Sequence, residues 1–206
     1  MPEKSQAELI SKRQALLDAA RDLFAKKGYE ETTIAEIAQA AGVAVGTVYL
    51  YFHNKHDILT GVALSLGDSF AEVFRNPALL DLPFEEIPHT LVDAIFRIGC
   101  QKMDSMALLQ VDIQSSEEVL LHKQSKEQVT QAVTTFFEHA VAKGKLAPFN
   151  TEMYAQILNL LGGAILHQCF AIEKGEREEM YRQYTTELLE RLFFGPSLRT
   201  GKPQES

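Results

Sequence analysis

A chain of 206 residues with 46% hydrophobic content can bury a sizeable core without staples, and its two cysteines, Cys100 and Cys169, stand far apart outside any C-x-x-C spacing. That counts against a disulfide framework or a zinc site, without removing either, and favours apolar packing for both thiols. The formal charge of -8 opposes a nucleic-acid partner in total but less so in distribution, since residues 1–60 hold seven Lys/Arg against eight Asp/Glu and residues 61–206 hold 13 against 20.

Apolar residues recur at helical spacing nearly throughout and strand-like alternation is absent, which predicts an all-α chain. The first thirty residues carry no apolar run of signal-peptide length, and no later stretch approaches the roughly 18 apolar residues of a membrane span. The expectation is a cytoplasmic protein with no membrane partner.

In "RQALLDAARDLFAKKGY" Leu16, Leu17, Ala20, Leu23 and Phe24 form one stripe, and Gly28 before Tyr29 fits a left-handed helix cap. Thr33 with Glu36 is a capping-box pattern that opens a second helix from Ile34 to about Ala41. Gly42 can take the positive φ of a sharp turn, and Val45 to about Phe52 reads as a short third helix. Asn54 with Asp57 resembles another cap pair, followed by Ile58, Leu59, Val62, Leu66, Phe70 and Val73 on one face of a long helix ending near Asn76-Pro77.

Pro77, Pro83 and Pro88 punctuate a connection, after which helices are predicted at 88–103, 105–115, 116–143, 151–173 and 177–194, with Gly144, Gly175 and Gly195-Pro196 as stops. Residues 153–172 are apolar around most of the helix circumference, and the last helix carries a stripe of Tyr181, Tyr184, Leu188, Leu189 and Leu192. Apolar surface left over on both predicts a two-fold dimer built from a four-helix bundle, with Leu160, Gly163, Tyr181, Tyr184, Leu188 and Leu192 at its interface.

A helix-turn-helix needs a small residue where its helices cross, a glycine at the turn and apolar anchors on the second helix. Ala38, Gly42 and Val48 stand at the required spacing, with Ile37, Val43 and Phe52 as further packing residues. The opposite face offers Thr47, Tyr49, Tyr51 and Lys55, whose hydroxyls and amine can reach phosphate oxygens, and the helix starts add backbone N–H groups. Ala44, Val45 and Gly46 carry no side-chain donor, so they offer only apolar contact to thymine methyls and close backbone approach. Tyr49 and Tyr51, two residues apart on a helix, point about 200° from each other, so one of them is half core.

The run "TTIAEIAQAAGVAVGTVYLYFHNKHDIL", with "ALLDAARDLFAKKGY" before it, resembles the N-terminal domain of the tetracycline-repressor (TetR) family over about residues 12–60. The resemblance implies a three-helix DNA-binding domain over 8–54 joined by a long helix to a helical ligand-binding and dimerisation domain over 55–195, with 196–206 as a disordered tail. It also implies that Thr33 and Thr47 contact phosphate, that Gly46 and Tyr49 lie at the groove, and that Tyr51 and Lys55 clamp the backbone. Leu50 and His53 depart from the family, filling positions often polar or lysine in relatives.

A small-molecule cavity is a further implication of the resemblance, with Phe96, Cys100, Met103, Met106, Gln110, Phe136, Phe137, His167 and Phe170 as candidate lining and Gln110 and His167 as polar anchors. Each of the aromatic and sulfur positions also reads as ordinary core. The six histidines show no paired-ligand spacing, and no nucleophile, base or metal cluster supports an all-α enzyme. The expected function is a homodimeric regulator of a double-stranded DNA operator, a repressor released by a hydrophobic or amphipathic effector, with no cofactor and no metal. The likeness of "VGTVYLYFHNKHDIL" to relatives that govern fatty-acid metabolism suggests an acyl-chain effector. The competing reading is a protein-interaction module that docks a partner on the N-terminal bundle.

Overall fold

The computed structural model describes residues 3–102 and 116–194, with side chains described for 8–102 and 124–192. Every regular element among them is helical: α1 Glu3–Lys27, α2 Ile34–Ala40, α3 Val45–Val48, α4 Lys55–Arg75, α5 Ile87–Gln101, α6 Ser116–Ala142, α7 Thr151–Leu166 and α8 Glu178–Phe194. Short 3₁₀ turns at Pro77–Asp81 and Phe84–Glu86 fill the proline-rich connection. The helix expected at 105–115 and the tail 196–206 lie outside the described residues.

The chain divides into two compact units. In the first, up to Leu66, the predicted stripe is the core: Leu16, Leu17, Ala20 and Phe24 of α1 pack with Ile37 and Ala38 of α2, Val48 of α3, Phe52, and Ile58 and Val62 of α4. Gly28 closes α1 at φ +87, its N–H donating to Phe24 O at 2.9 Å, and the Tyr29 ring lies 5.3 Å from that of Phe24. This is the left-handed cap with its apolar contact. The helix begins at Glu3, more than three turns earlier than the apolar stripe, because a largely polar run of good helix formers, with Leu9 and Ile10 left exposed, can extend a helix that tertiary packing has already nucleated.

The second unit takes up the chain at Gly67, and the start of α6 up to His122 is counted with the first, so α4 and α6 each run from one unit into the other. Its later turns bury Ala71 and Phe74, whereas Phe70 and Val73 are half-buried. Gly144 and Gly175 adopt the positive φ of helix stops. The predicted helix 151–173 is α-helical only to Leu166; His167–Ile172 continues it as a π-helix, with Glu173 N donating to Gln168 O at 3.0 Å. Cys169 and Phe170 of that turn are buried, while Cys100 on α5 is exposed, so apolar packing accounts for one thiol and not for both.

Thr151–Ile172 is long and apolar enough to cross a membrane by length and composition, which corrects the expectation that no stretch approaches that length. In the fold it is a bundle helix. It buries Ala155, Leu166, Cys169 and Phe170, and Asn159 donates to Lys126 O at 3.0 Å and Thr130 Oγ1 at 2.9 Å.

Close packing of α5 on the π-helical turn requires Gly99, where an added Cβ would lie 2.5 Å from the Phe170 ring. Gly99→Ala is expected to destabilise the protein by about 1–3 kcal/mol through overpacking, measured as a lower midpoint in urea unfolding; an unchanged midpoint would mean the Phe170 ring yields freely.

Candidate nucleic-acid interface

The head of α2 is built by a reciprocal cap. Thr33 Oγ1 accepts from Glu36 N at 3.3 Å, and Glu36 Oε2 accepts from Thr33 N at 2.9 Å and from Thr33 Oγ1 at 2.7 Å. Lys27, in the last turn of α1, donates to the other carboxylate oxygen of Glu36 at 2.6 Å. The Lys27 ammonium and the Thr33 donors together hold the Glu36 carboxyl at about 2.

The turn follows from Gly42, at φ +68, with Val43 N donating to Ala38 O at 2.9 Å. Ala38 and Val48 are buried where the two helices cross, as their spacing predicted. The third helix stops at Val48 rather than near Phe52, and beyond it the backbone tightens: Leu50 N donates to Thr47 O at 3.2 Å and Tyr51 N to Val48 O at 2.9 Å. Such i→i+3 bonds let Phe52 drop into the core while the chain turns toward α4.

The head of α4 is capped twice. Asp57 N donates to Asn54 Oδ1 at 2.8 Å, and the Asp57 carboxylate accepts from His53 N at 2.9 Å. The Lys55 ammonium reaches back to the end of α1, donating to Tyr29 O at 2.7 Å and Glu30 O at 3.0 Å and lying 4.3 Å from the centre of the Tyr29 ring. Two of its three N–H groups are thereby engaged.

Of the residues expected to meet DNA, Thr33, Ala44, Val45, Gly46 and Tyr49 are exposed, and Thr47, Tyr51 and Lys55 are half-buried. The two tyrosines separate as helix geometry requires: Tyr51 packs against the core of the first unit and Tyr49 is 52% exposed. What the sequence reading missed is the pairing of the cations. Lys12 lies 2.7 Å from Glu8, Arg21 2.7 Å from Asp18 and Lys27 2.6 Å from Glu36. The first two are visible as i,i+4 and i,i+3 pairs along α1; the third crosses a turn, and only the capping box hinted at it.

In the second unit the candidate pocket residues fall into separate groups. Phe96 and Phe170 are in edge contact with centroids 5.9 Å apart, and Phe136 and Phe137 join Phe74, Phe149 and Tyr154 in a chain of tilted rings. His167 is half-buried at the start of the π-helical turn and Cys100 faces outward. Met103, Met106 and Gln110 lie outside the described residues. Among the candidate dimer residues Leu160 is 63% and Tyr184 61% exposed; Leu188 and Gly163 are also exposed, and Tyr181 and Leu192 are half-buried.

A family profile described as "Bacterial regulatory proteins, tetR family" matches residues 16–62. The chain is similar to the uncharacterized HTH-type transcriptional regulator TtgW of Pseudomonas putida, 30% identical over 95 residues that make up 46% of this chain and 71% of that protein. It is 50% identical over 61 residues to the fatty acid metabolism regulator protein of Bacillus subtilis, a match confined to 30% of this chain and 31% of that protein. Its fold matches the Bacillus subtilis transcriptional regulator FadR, solved in complex with stearoyl-CoA, with a TM-score of 0.68 at 19% identity over 85% of this chain and 96% of that one.

Because the folded pKa of Glu36 is depressed from 4.5 to about 2, its contribution to stability is present above pH 4.5 and is lost as pH falls toward 2. Melting temperatures of the wild type and Glu36→Gln across that window are expected to converge as pH falls; a constant difference would show that the carboxylate's ionisation is not what stabilises the cap.

Proposed function

The chain belongs to the tetR family of bacterial regulatory proteins, DNA-binding transcriptional regulators rather than enzymes, and from that premise we propose that it is a homodimeric, ligand-responsive repressor acting in the cytoplasm. The observation that carries the DNA contact is the helix-turn-helix itself: Ala38 and Val48 close its crossing, and Thr33, Ala44, Val45, Gly46 and Tyr49 stand exposed beside the half-buried Thr47, Tyr51 and Lys55. This supports a reading head over 8–54 that places α3 in the major groove, with the half-sites of the dimer about 34–36 Å apart or a multiple of that spacing. The exposed Leu160, Tyr184 and Leu188 support pairing of two copies through α7 and α8.

The effector domain in this reading is residues 55–195, and α4, common to both units, supports the transmission of ligand binding to the reading head. To release an operator, the ligand must prefer the state that does not bind DNA; 100-fold preference corresponds to about 2.7 kcal/mol of coupling. An acyl-chain effector is supported by the aromatic and aliphatic wealth of the second unit, by 50% identity over 61 residues to a fatty acid metabolism regulator, and by the shared fold of a regulator solved with stearoyl-CoA. Stabilisation by long-chain acyl compounds in a thermal-shift series is the expected result, and its absence removes this effector class.

The decisive experiment is titration of the protein into fluorescent DNA from its own promoter region at two salt concentrations. Saturable, salt-sensitive binding is expected, weakened on the order of 100-fold in Thr47→Ala/Tyr51→Ala/Lys55→Ala, since three contacts at about 1 kcal/mol each are removed. Circular dichroism of the variant checks that loss of the Lys55 bonds to Tyr29 and Glu30 leaves the head folded. Equal binding by a folded triple variant would show that the head does not grip DNA through these side chains.

A further inference from the structure

Leu50 is 78% exposed, more than any other large apolar side chain among the described residues. It lies in the tight turn after α3, and the geometry there fixes its direction. Val48 and Phe52 are buried and Tyr51 packs on the same core. At about 120° per residue in this i→i+3 turn, Tyr51 returns to the side of Val48 while Leu50 stands roughly 240° from Val48, pointing away from the core that anchors the turn. Gly46, four residues earlier, is exposed as well, and a Cβ placed on it would meet nothing within 4 Å. A leucine therefore projects beside a bare stretch of backbone, with the exposed Val45 and Tyr49 as flanks.

Ala44, Val45, Gly46 and Leu50 bring no side-chain donor or acceptor to this face. An outward leucine on a surface that enters the major groove gains only if it meets something apolar, and the apolar group that the major groove presents is the C5-methyl of thymine. Resting on the DNA reading above, we propose that Leu50 is a specificity-determining residue whose side chain seats against thymine methyl groups, with Gly46 giving the clearance for that approach. The contact makes base choice at its position a matter of shape and apolar burial rather than of hydrogen bonding.

Replacing thymine by deoxyuridine removes the methyl and leaves every hydrogen-bonding group of the base in place, which makes the inference directly testable. The preferred sequence is first selected from random duplex DNA with the full-length protein. Each thymine is then replaced singly by deoxyuridine, and Kd is measured for the wild type and for Leu50→Ala, a substitution at an exposed position whose melting temperature serves as the folding control. The wild type is expected to lose about four-fold at one or two thymines per half-site, the fold-change that burial of one methyl-sized group corresponds to, and Leu50→Ala to be indifferent at those same positions. A selected site with no methyl-sensitive thymine, or one whose methyl effect is unchanged in Leu50→Ala, overturns the inference and leaves the regulator reading standing. A selection that returns no preferred sequence removes both.

Discussion

A four-residue helix closes a single hydrogen-bonded turn and has no stability of its own, so the reading head depends on the burial of Val48. That side chain is wholly inaccessible, and it is held from both directions: Ala38 leaves room at the crossing, and Gly42 at φ +68 lets the chain reverse quickly enough for Val43 N to bond Ala38 O. With Val48 anchored and Phe52 buried four residues later, the backbone between them must present Tyr49 and Leu50 to the outside. Exposure on the proposed DNA face is thus a consequence of packing on the opposite one.

Several cations of the head already have partners. Lys12, Arg21 and Lys27 are each held by a carboxylate, and Lys55 is held by two carbonyl oxygens at the end of α1. Phosphate binding that recruits them must compete with partners already in place, which lowers sequence-independent affinity relative to a surface of free lysines. In the proposed complex this shifts the burden of recognition toward fit, backbone approach and apolar contact, the properties proposed for Ala44, Val45, Gly46 and Leu50.

The second unit follows different rules. The edge contact of Phe96 with Phe170 and the ring chain through Phe137 are ordinary core packing, and the place of Phe170 depends on a glycine at position 99 and on a π-helical turn that buries Cys169 and Phe170. Burial pushes the Cys169 thiol up to about 11, so it behaves as a small apolar group. Close by, Glu173 accepts from Arg177, Gln168 and Tyr181, a polar clasp over the end of the same turn. What α7 leaves uncovered, including Leu160, is the surplus that an apolar helix must carry when only one of its faces meets the bundle.

Features governed by contacts a few residues apart were legible in the amino-acid order. The capping box at Thr33 and Glu36, the positive φ at Gly28 and Gly42, the apolar stripe of α1 and the buried trio of Ala38, Val48 and Phe52 all follow from spacing, because each depends on local backbone geometry or on one helical period. Contacts between distant segments were not. Nothing in the pattern foretold that Lys55 would bond residues 29 and 30, that α1 would extend back to Glu3, that the helix after Thr151 would turn π-helical at His167, or that Cys100 would face outward while Cys169 is buried. Those outcomes are set by which surfaces meet once the helices pack. A helical period limits which side chains share a face, but only the packed neighbour decides which face is inside.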